Sequence, residues 1–175
     1  MRQIVLSALL SLALLLPARA QMARLYTTES GLPSSQVKDI FQDSRGFIWI
    51  STESGLARFD GMDFTTFRFA RDRADALASD LVPTVFEDSR GVLWVGTSMG
   101  LQTFNPDNSS FSHIDLRDPE VPGSTQYVSD ILEVRTGPSS TELWVATSQQ
   151  GVYILDTETH ALKDGRRGKI GRAHV

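Results

Sequence analysis

Three stretches of the chain superimpose on one another at a nearly constant interval, and no other feature limits its possible folds so strongly. They are VKDIFQDSRGFIWISTESGLARFDGMDFTTF from Val37, VPTVFEDSRGVLWVGTSMGLQTFNPDNSSFSHI from Val82 and VSDILEVRTGPSSTELWVATSQQGVYILDTETHAL from Val128. Val37 and Val82 are 45 residues apart, and Val82 and Val128 are 46 apart. Trp49, Trp94 and Trp144 follow at 45 and 50, the additional residues of the third copy falling in Thr136 to Thr141, where a turn absorbs them. Gly55, Gly100 and Gly151 come 6, 6 and 7 residues after the tryptophans. A unit that recurs in this way cannot bury its apolar face alone, so copies must stack on one another to make a core.

Within each copy the apolar residues fall in runs of four to six, alternating or continuous, between turn signals, which predicts strands. In the first copy they run from Val37 to Phe41, Phe47 to Ser51, Gly55 to Phe59 and Phe64 to Phe67. Asp43-Ser44-Arg45-Gly46 supplies the first turn, the Asp bonding its own backbone and the Gly taking positive φ, and Asp60-Gly61 supplies a hairpin turn. One helical turn is expected near Arg71 to Leu77. A mid-forties period with four short strands predicts an all-β chain, a β-propeller fragment of about three four-stranded antiparallel blades. The blades are expected at about 34–67, 79–114 and 125–165, the third broken off in its last strand. One tryptophan and one Phe or Tyr per copy are expected to fill the wedge between sheets. Leu25-Tyr26 and the following Gly31-Leu32-Pro33-Ser34-Ser35 read like the end of a repeat leading into the first inner strand. Three blades cannot close a ring, since propellers have roughly four to eight.

The two ends read differently. Met1-Arg2, the apolar run Ile4 to Leu16 and the small-x-small Ala18-Arg19-Ala20 have the layout of an export signal over residues 1–20. The run is shorter than the ~20 residues that span a bilayer. At the other end, Ile170 to Val175 translates ATC-GGA-AGA-GCA-CAC-GTC, a sequencing adapter whose preceding AG is met by the Lys169 codon. Residues 169–175 are therefore expected to be an artefact, and the natural protein to be longer.

Charge and composition exclude several functions. The chain carries a net charge of −4, and four of its 17 basic residues, Arg2, Arg19, Lys169 and Arg172, lie in those two terminal segments, whereas none of its 21 acidic residues does. So acidic a body argues against nucleic acid and anionic lipid as partners, because phosphate surfaces need clustered Lys and Arg. With no Cys, thiolate metal sites and thiol nucleophiles are excluded, and an exported domain free of disulfides fits.

At this point the motif V-x-D-I-F-Q-D-S-R-G-F-I-W-I-S-T-E-S-G-L-A-R-F-D-G, together with the opening G-L-P-S-S-Q-V, resembles the repeat of the two-component regulator propeller family. The likeness extends over Gln21 to Leu162, with the third copy departing from it where Val134 replaces Asp43 and Asp88. The resemblance implies an N-terminal periplasmic sensor region built of seven-bladed propellers. A membrane helix and a cytoplasmic output would follow, most often a histidine kinase and in other cases a diguanylate cyclase. It further implies a full-length protein that is a homodimer anchored in the inner membrane.

No catalytic constellation stands beside this reading. Asp43 and Asp88 fit a turn better than calcium, which takes six to eight oxygens. His113 and His160 have no ligand-like spacing and are expected at the surface. The sequence lacks G-x-G-x-x-G and G-K-[ST], so no cofactor cradle of those kinds is present. In a propeller the loops entering each inner strand and those joining second to third strands share one face, here Leu32 to Gln36, Arg68 to Asp80 and Asp115 to Tyr127 with Glu53, Met99 and Gln149. Ser35, Gln36, Glu53, Ser79, Asp80, Met99, Gln126 and Tyr127 are the candidate ligand-binding residues, for a small molecule or glycan. Two rival readings remain open: a secreted propeller lyase or glycosidase, for which Asp80 and Glu53 are the available acid and base, and a scaffold that binds protein.

Overall fold

The structure is a computed structural model that describes residues 23–116, 126–138 and 140–163. The export-signal segment and the terminal residues 169–175 lie outside the described residues. Among the described residues eleven strands form three antiparallel sheets. The first holds β1 (Val37–Gln42), β2 (Ile48–Thr52), β3 (Gly55–Phe59) and β4 (Phe64–Phe67) in sequence order. The second repeats it with β5 (Thr84–Glu87), β6 (Leu93–Thr97), β7 (Gly100–Asn105) and β8 (Ser110–Ile114). The third holds β9 (Val128–Arg135), β10 (Thr141–Thr147) and β11 (Gly151–Asp156). Beside β11 a fourth strand begins, with Leu162 bridged to Leu155 and the Lys163 N–H donating to the Ile154 carbonyl at 2.9 Å.

Register makes the three copies equivalent. Trp49 lies opposite Phe41 and Arg58, Trp94 opposite Phe86 and Thr103, and Trp144 opposite Leu132 and Ile154. Each tryptophan therefore sits mid-sheet, and Trp49 and Trp94 lie on the face that looks toward the next sheet in sequence. The sheets are blades of a β-propeller.

The turn between first and second strands is built as its sequence dictates. The Asp43 N–H donates to the Phe47 carbonyl at 3.0 Å and the Gly46 N–H to the Asp43 carbonyl at 2.9 Å, with Gly46 at φ 90. Asp88 and Gly91 repeat both bonds. The Asp does a second job that the turn motif does not announce. Asp43 Oδ2 accepts from the Trp49 indole N–H at 2.9 Å and Asp88 Oδ2 from that of Trp94 at 2.8 Å, both buried. A buried carboxylate thus holds each indole in the seam between blades, where an unpaired N–H would cost about 1–3 kcal/mol.

Aromatic rings fill the seam between the first two blades. Trp49 stacks on Phe67 at 5.8 Å and meets Phe104 edge-on at 4.9 Å, while Phe67 also contacts Phe111 at 5.5 Å. Leu77, Val82, Val85 and Val95 complete this core. The second seam is mainly aliphatic, with Trp94 joined by Leu101, Leu116, Val128, Ile131, Leu143, Val145 and Leu155. Gly96 is required there, since a Cβ would come within 2.7 Å of a Val128 methyl. His160, expected at the surface, is partly buried and sets its ring 4.8 Å from Trp94, edge to face.

The N-terminal segment covers the outer face of the first blade. Tyr26 lies 5.2 and 5.3 Å from Phe59 and Phe64, the relation that Phe67 has to Phe104 and Phe111. Leu32 is buried with Ile50 and Ala57. In place of a helical turn at Arg71 to Leu77 there are two backbone turns, Arg73 N–H to Ala70 and Ala76 N–H to Arg73, and Leu77 is pinned by a bridge to Phe69. Burial of Leu77 in the seam outweighs local helical preference. Among the described residues the one helical turn lies at Thr28–Ser30, capped by Thr27, where the sequence reading places none.

Candidate functional site

The end of each blade where the first strand begins and the second strand ends is closed by the same backbone bond. Glu53 N–H donates to Gln36 at 3.2 Å, Ser98 N–H to Leu81 at 3.0 Å and Ser148 N–H to Tyr127 at 3.0 Å. The turn from second to third strand is also common to all three copies. Thr52, Thr97 and Thr147 donate through Oγ1 to the carbonyls of Gly55, Gly100 and Gly151 at 2.8, 2.9 and 2.9 Å. These bonds fix one rim on which the candidate residues stand.

On the first blade, Ser35 and Gln36 are exposed, while Glu53 is paired with the Lys38 ammonium. With its amide turned to donate, Gln36 also reaches Glu53 Oε1 at 3.1 Å. On the second, Asp80 Oδ1 accepts the Phe69 N–H at 2.7 Å, and the Ser79 and Ser98 hydroxyls share a bond of 2.7 Å. Met99 projects into solvent. The third blade holds Gln126, buried, whose amide donates to the Leu116 carbonyl at 2.6 Å and to the Tyr153 hydroxyl at 3.2 Å. Tyr153 in turn donates to Gln150 Oε1 at 2.5 Å.

Of the eight candidates, Gln126 and Tyr127 come together at a concavity. With Ser98, Thr147, Gln149 and Gln150 they line a cleft of about 210 Å³ between the second and third blades. Its lining has no charged group and offers only amides, hydroxyls and one aromatic ring. Ser35, Gln36, Glu53, Ser79, Asp80 and Met99 do not line it. Glu53 and Asp80 are each held within their own loop, Glu53 by Lys38 and Asp80 by the Phe69 N–H. A second, larger cleft of about 370 Å³ lies at the opposite end of the same two blades, among Ser89, Arg90, Arg135, Ser140, Asp156 and Glu158. Among the described residues no group of three or more His, Asp or Glu is placed to hold a metal ion.

Three positions that shape this rim escape the sequence reading. Gln102, buried in the third strand of the second blade, accepts the Ala78 N–H at 2.8 Å and donates to the Ala76 carbonyl at 3.1 Å, tying down the loop that carries Ser79 and Asp80. Tyr153 occupies the same place in the third blade and holds Gln126, and Gln150 joins it. Their common signal is one register: Ala57, Gln102 and Tyr153 stand two residues after the turn glycines, so polarity at that position marks a blade whose loop is anchored.

The family model described as two component regulator propeller matches residues 31–54 and 76–99. Two of the three repeats thus match the two-component regulator propeller model. The two matched segments run from the entering loop through the tryptophan strand of the first and second blades. Among solved structures, the chain is similar to the extracellular domain assigned to the hybrid two-component system BT3049 of B. thetaiotaomicron. That likeness has 31% identity and a TM-score of 0.68 over 81% of this chain and 19% of that one. A second likeness is to the extracellular domain of BT4673 from the same organism, at 25% identity and a TM-score of 0.59 over 71% of this chain and 17% of that one. The chain thus spans about a fifth of the length of the structures it resembles. Comparison with curated proteins gives no match.

Proposed function

We propose that this repeat array is part of the extracytoplasmic, ligand-sensing region of a membrane-spanning signalling protein of the two-component, histidine-kinase type, located in the periplasm. The reading rests on the propeller repeats together with the likeness to extracellular domains of hybrid two-component systems. The cleft at Gln126 and Tyr127 adds the chemistry. An uncharged lining of amides, hydroxyls and an aromatic ring suits a neutral polyhydroxylated ligand such as a glycan, which needs directional hydrogen bonds and a flat apolar face to stack on.

A signal can start in that cleft because it lies between blades. Gln126 and Tyr127 belong to the segment entering β9, Ser98 follows β6, Thr147 ends β10, and Gln149 and Gln150 lie in the turn after it. A ligand that bridged them would favour one spacing of the two blades over another, and a ligand shifts an equilibrium only by such differential affinity. The test is a glycan and small-molecule binding screen read by thermal shift, repeated with Tyr127→Ala and Gln149→Ala. Ligands that bind the parent chain and lose affinity in both variants support the reading. A ligand indifferent to both substitutions removes the cleft from the account.

A further inference from the structure

We propose that the larger cleft, at the opposite end of the second and third blades from Gln126, is a second binding site. It takes a small molecule through an oxyanion group, a carboxylate or a sulfate or phosphate ester. Its volume of about 370 Å³ lies within the roughly 300–1,000 Å³ usual for small-molecule sites. The second and third blades, which share one buried core, form both of its walls. Arg90 stands on one wall, in the turn between β5 and β6, and Arg135 on the other, at the end of β9.

The cleft follows from the way the third copy breaks the repeat. In the first two copies the first strand stops before the Asp-Ser-Arg-Gly turn. In the third, Val134 and Arg135 stand where Asp88 and Ser89 do, and β9 runs on to pair Arg135 with Thr141. The longer turn that follows brings Gly137, Pro138 and Ser140 to the lining. Side chains alternate between faces along a strand. Ile131 is buried with Trp94 and Leu101 of the second blade, and Glu133 accepts from Ser89 of that blade. Arg135, two residues further on, therefore falls on the same face and looks back into the seam. The first seam has Ser89 at that place, and its Arg45 stays on its own blade, 3.8 Å from Asp43 and 5.6 Å over the Phe47 ring.

The groups already satisfied decide what the cleft can hold. The Thr141 and Thr157 hydroxyls share a bond of 2.7 Å, those of Ser140 and Thr136 one of 3.1 Å, and the Ser89 hydroxyl donates to Glu133 at 2.8 Å. Asp156 Oδ1 accepts the Glu158 and Thr159 N–H groups of its own turn, and the Lys163 ammonium stands 3.8 Å from Oδ2. Among the described residues no ion pair reaches the Arg135 guanidinium, and that of Arg90 has Glu158 alone, at 3.9 Å and on a side chain 75% exposed. The spare donors are thus two guanidinium groups, whose planar forks match the oxygens of a carboxylate, sulfate or phosphate. Glu158 is the competitor, since an anion that enters between the arginines takes its place on Arg90.

The test is calorimetric titration of the chain with glucuronate, inorganic sulfate and inorganic phosphate. At least one of the three is expected to bind saturably, glucuronate alone assigning a carboxylate and sulfate or phosphate alone a tetrahedral group. Arg135→Ser, which restores the residue of the other two copies, should weaken that binding by about tenfold or more, as for a lost charge-assisted bond. Glu158→Gln should tighten it by about two- to fivefold, the scale of an exposed ion pair, a gain that a merely structural role of this turn would not give. Arg45→Ser, at the first seam, should leave it unchanged. Arg135 and Glu158 are both exposed, so each variant should melt with the parent chain. Failure of all three anions to bind overturns the proposal, as does an affinity indifferent to Arg135→Ser or lowered by Glu158→Gln. The cleft shares no residue with the one at Gln126, so the two sites are tested separately.

Discussion

The second and third blades share a register and a tryptophan strand, yet they treat that tryptophan in opposite ways. Trp94 is wholly buried, its indole N–H on Asp88, its ring against His160 of the next blade. Trp144 is exposed, and its indole N–H reaches Glu142 on its own strand at 3.1 Å. Two changes separate them. No blade follows the third among the described residues, and Val134 has replaced the aspartate that would turn the hairpin and hold the indole. The carboxylate and the neighbouring blade therefore belong to one device, because a carboxylate drawn into a seam is tolerable only when hydrogen bonds satisfy it.

The comparison is sharpest where its two sides are mutated alike. Trp94→Ala is expected to destabilise by about 3–5 kcal/mol, the range for an aromatic removed from a packed core. Trp144→Ala should change stability by under about 1 kcal/mol, the surface regime. Urea denaturation followed by circular dichroism measures both, and equal effects would break the distinction. Next in size, Asp88→Ala removes an acceptor for Arg90 N–H, Val92 N–H and the Trp94 indole at once. A loss of about 2–4 kcal/mol is expected, from an unsatisfied buried indole plus two turn bonds.

Those positions show how much of the molecule its sequence discloses. The repeat, the tryptophans and the aspartate-glycine turns are legible because each is written within a few residues. Even the Asp–Trp bond leaves a trace, since the two are six apart in the first two copies and the aspartate is gone in the third, where the tryptophan is exposed. The apolar filling of the seams is legible in outline, but the polar contacts across them are not, because their partners lie one whole repeat apart. Ser44 meets Glu87, and Thr84 meets Asp39 at 3.1 Å. The site is less legible still. Eight candidate residues on one rim follow from topology, but only Gln126 and Tyr127 share a cleft, and that depends on Tyr153, whose counterparts are Ala57 and Gln102.

Smaller effects sharpen the comparison further. Ser89→Ala, which cuts one of two bonds to Glu133 at an exposed seam, should cost about 1 kcal/mol by the same denaturation. Protonation should act on the third blade through Glu142. The Lys163 ammonium and then the Trp144 indole N–H hold its carboxyl below the usual glutamate value of 4.5. A depressed carboxylate contributes stability above its unfolded pKa and loses it as the pH falls through the folded value. Acidification below 4.5 should therefore loosen the Trp144 ring, a small shift visible in the emission of a single-tryptophan variant.

The most direct test of the stacked-blade account is collisional quenching of each tryptophan in turn, with the other two replaced by Phe. Acrylamide should quench Trp144 strongly and leave Trp49 and Trp94 nearly untouched. Similar accessibility of all three indoles would contradict it.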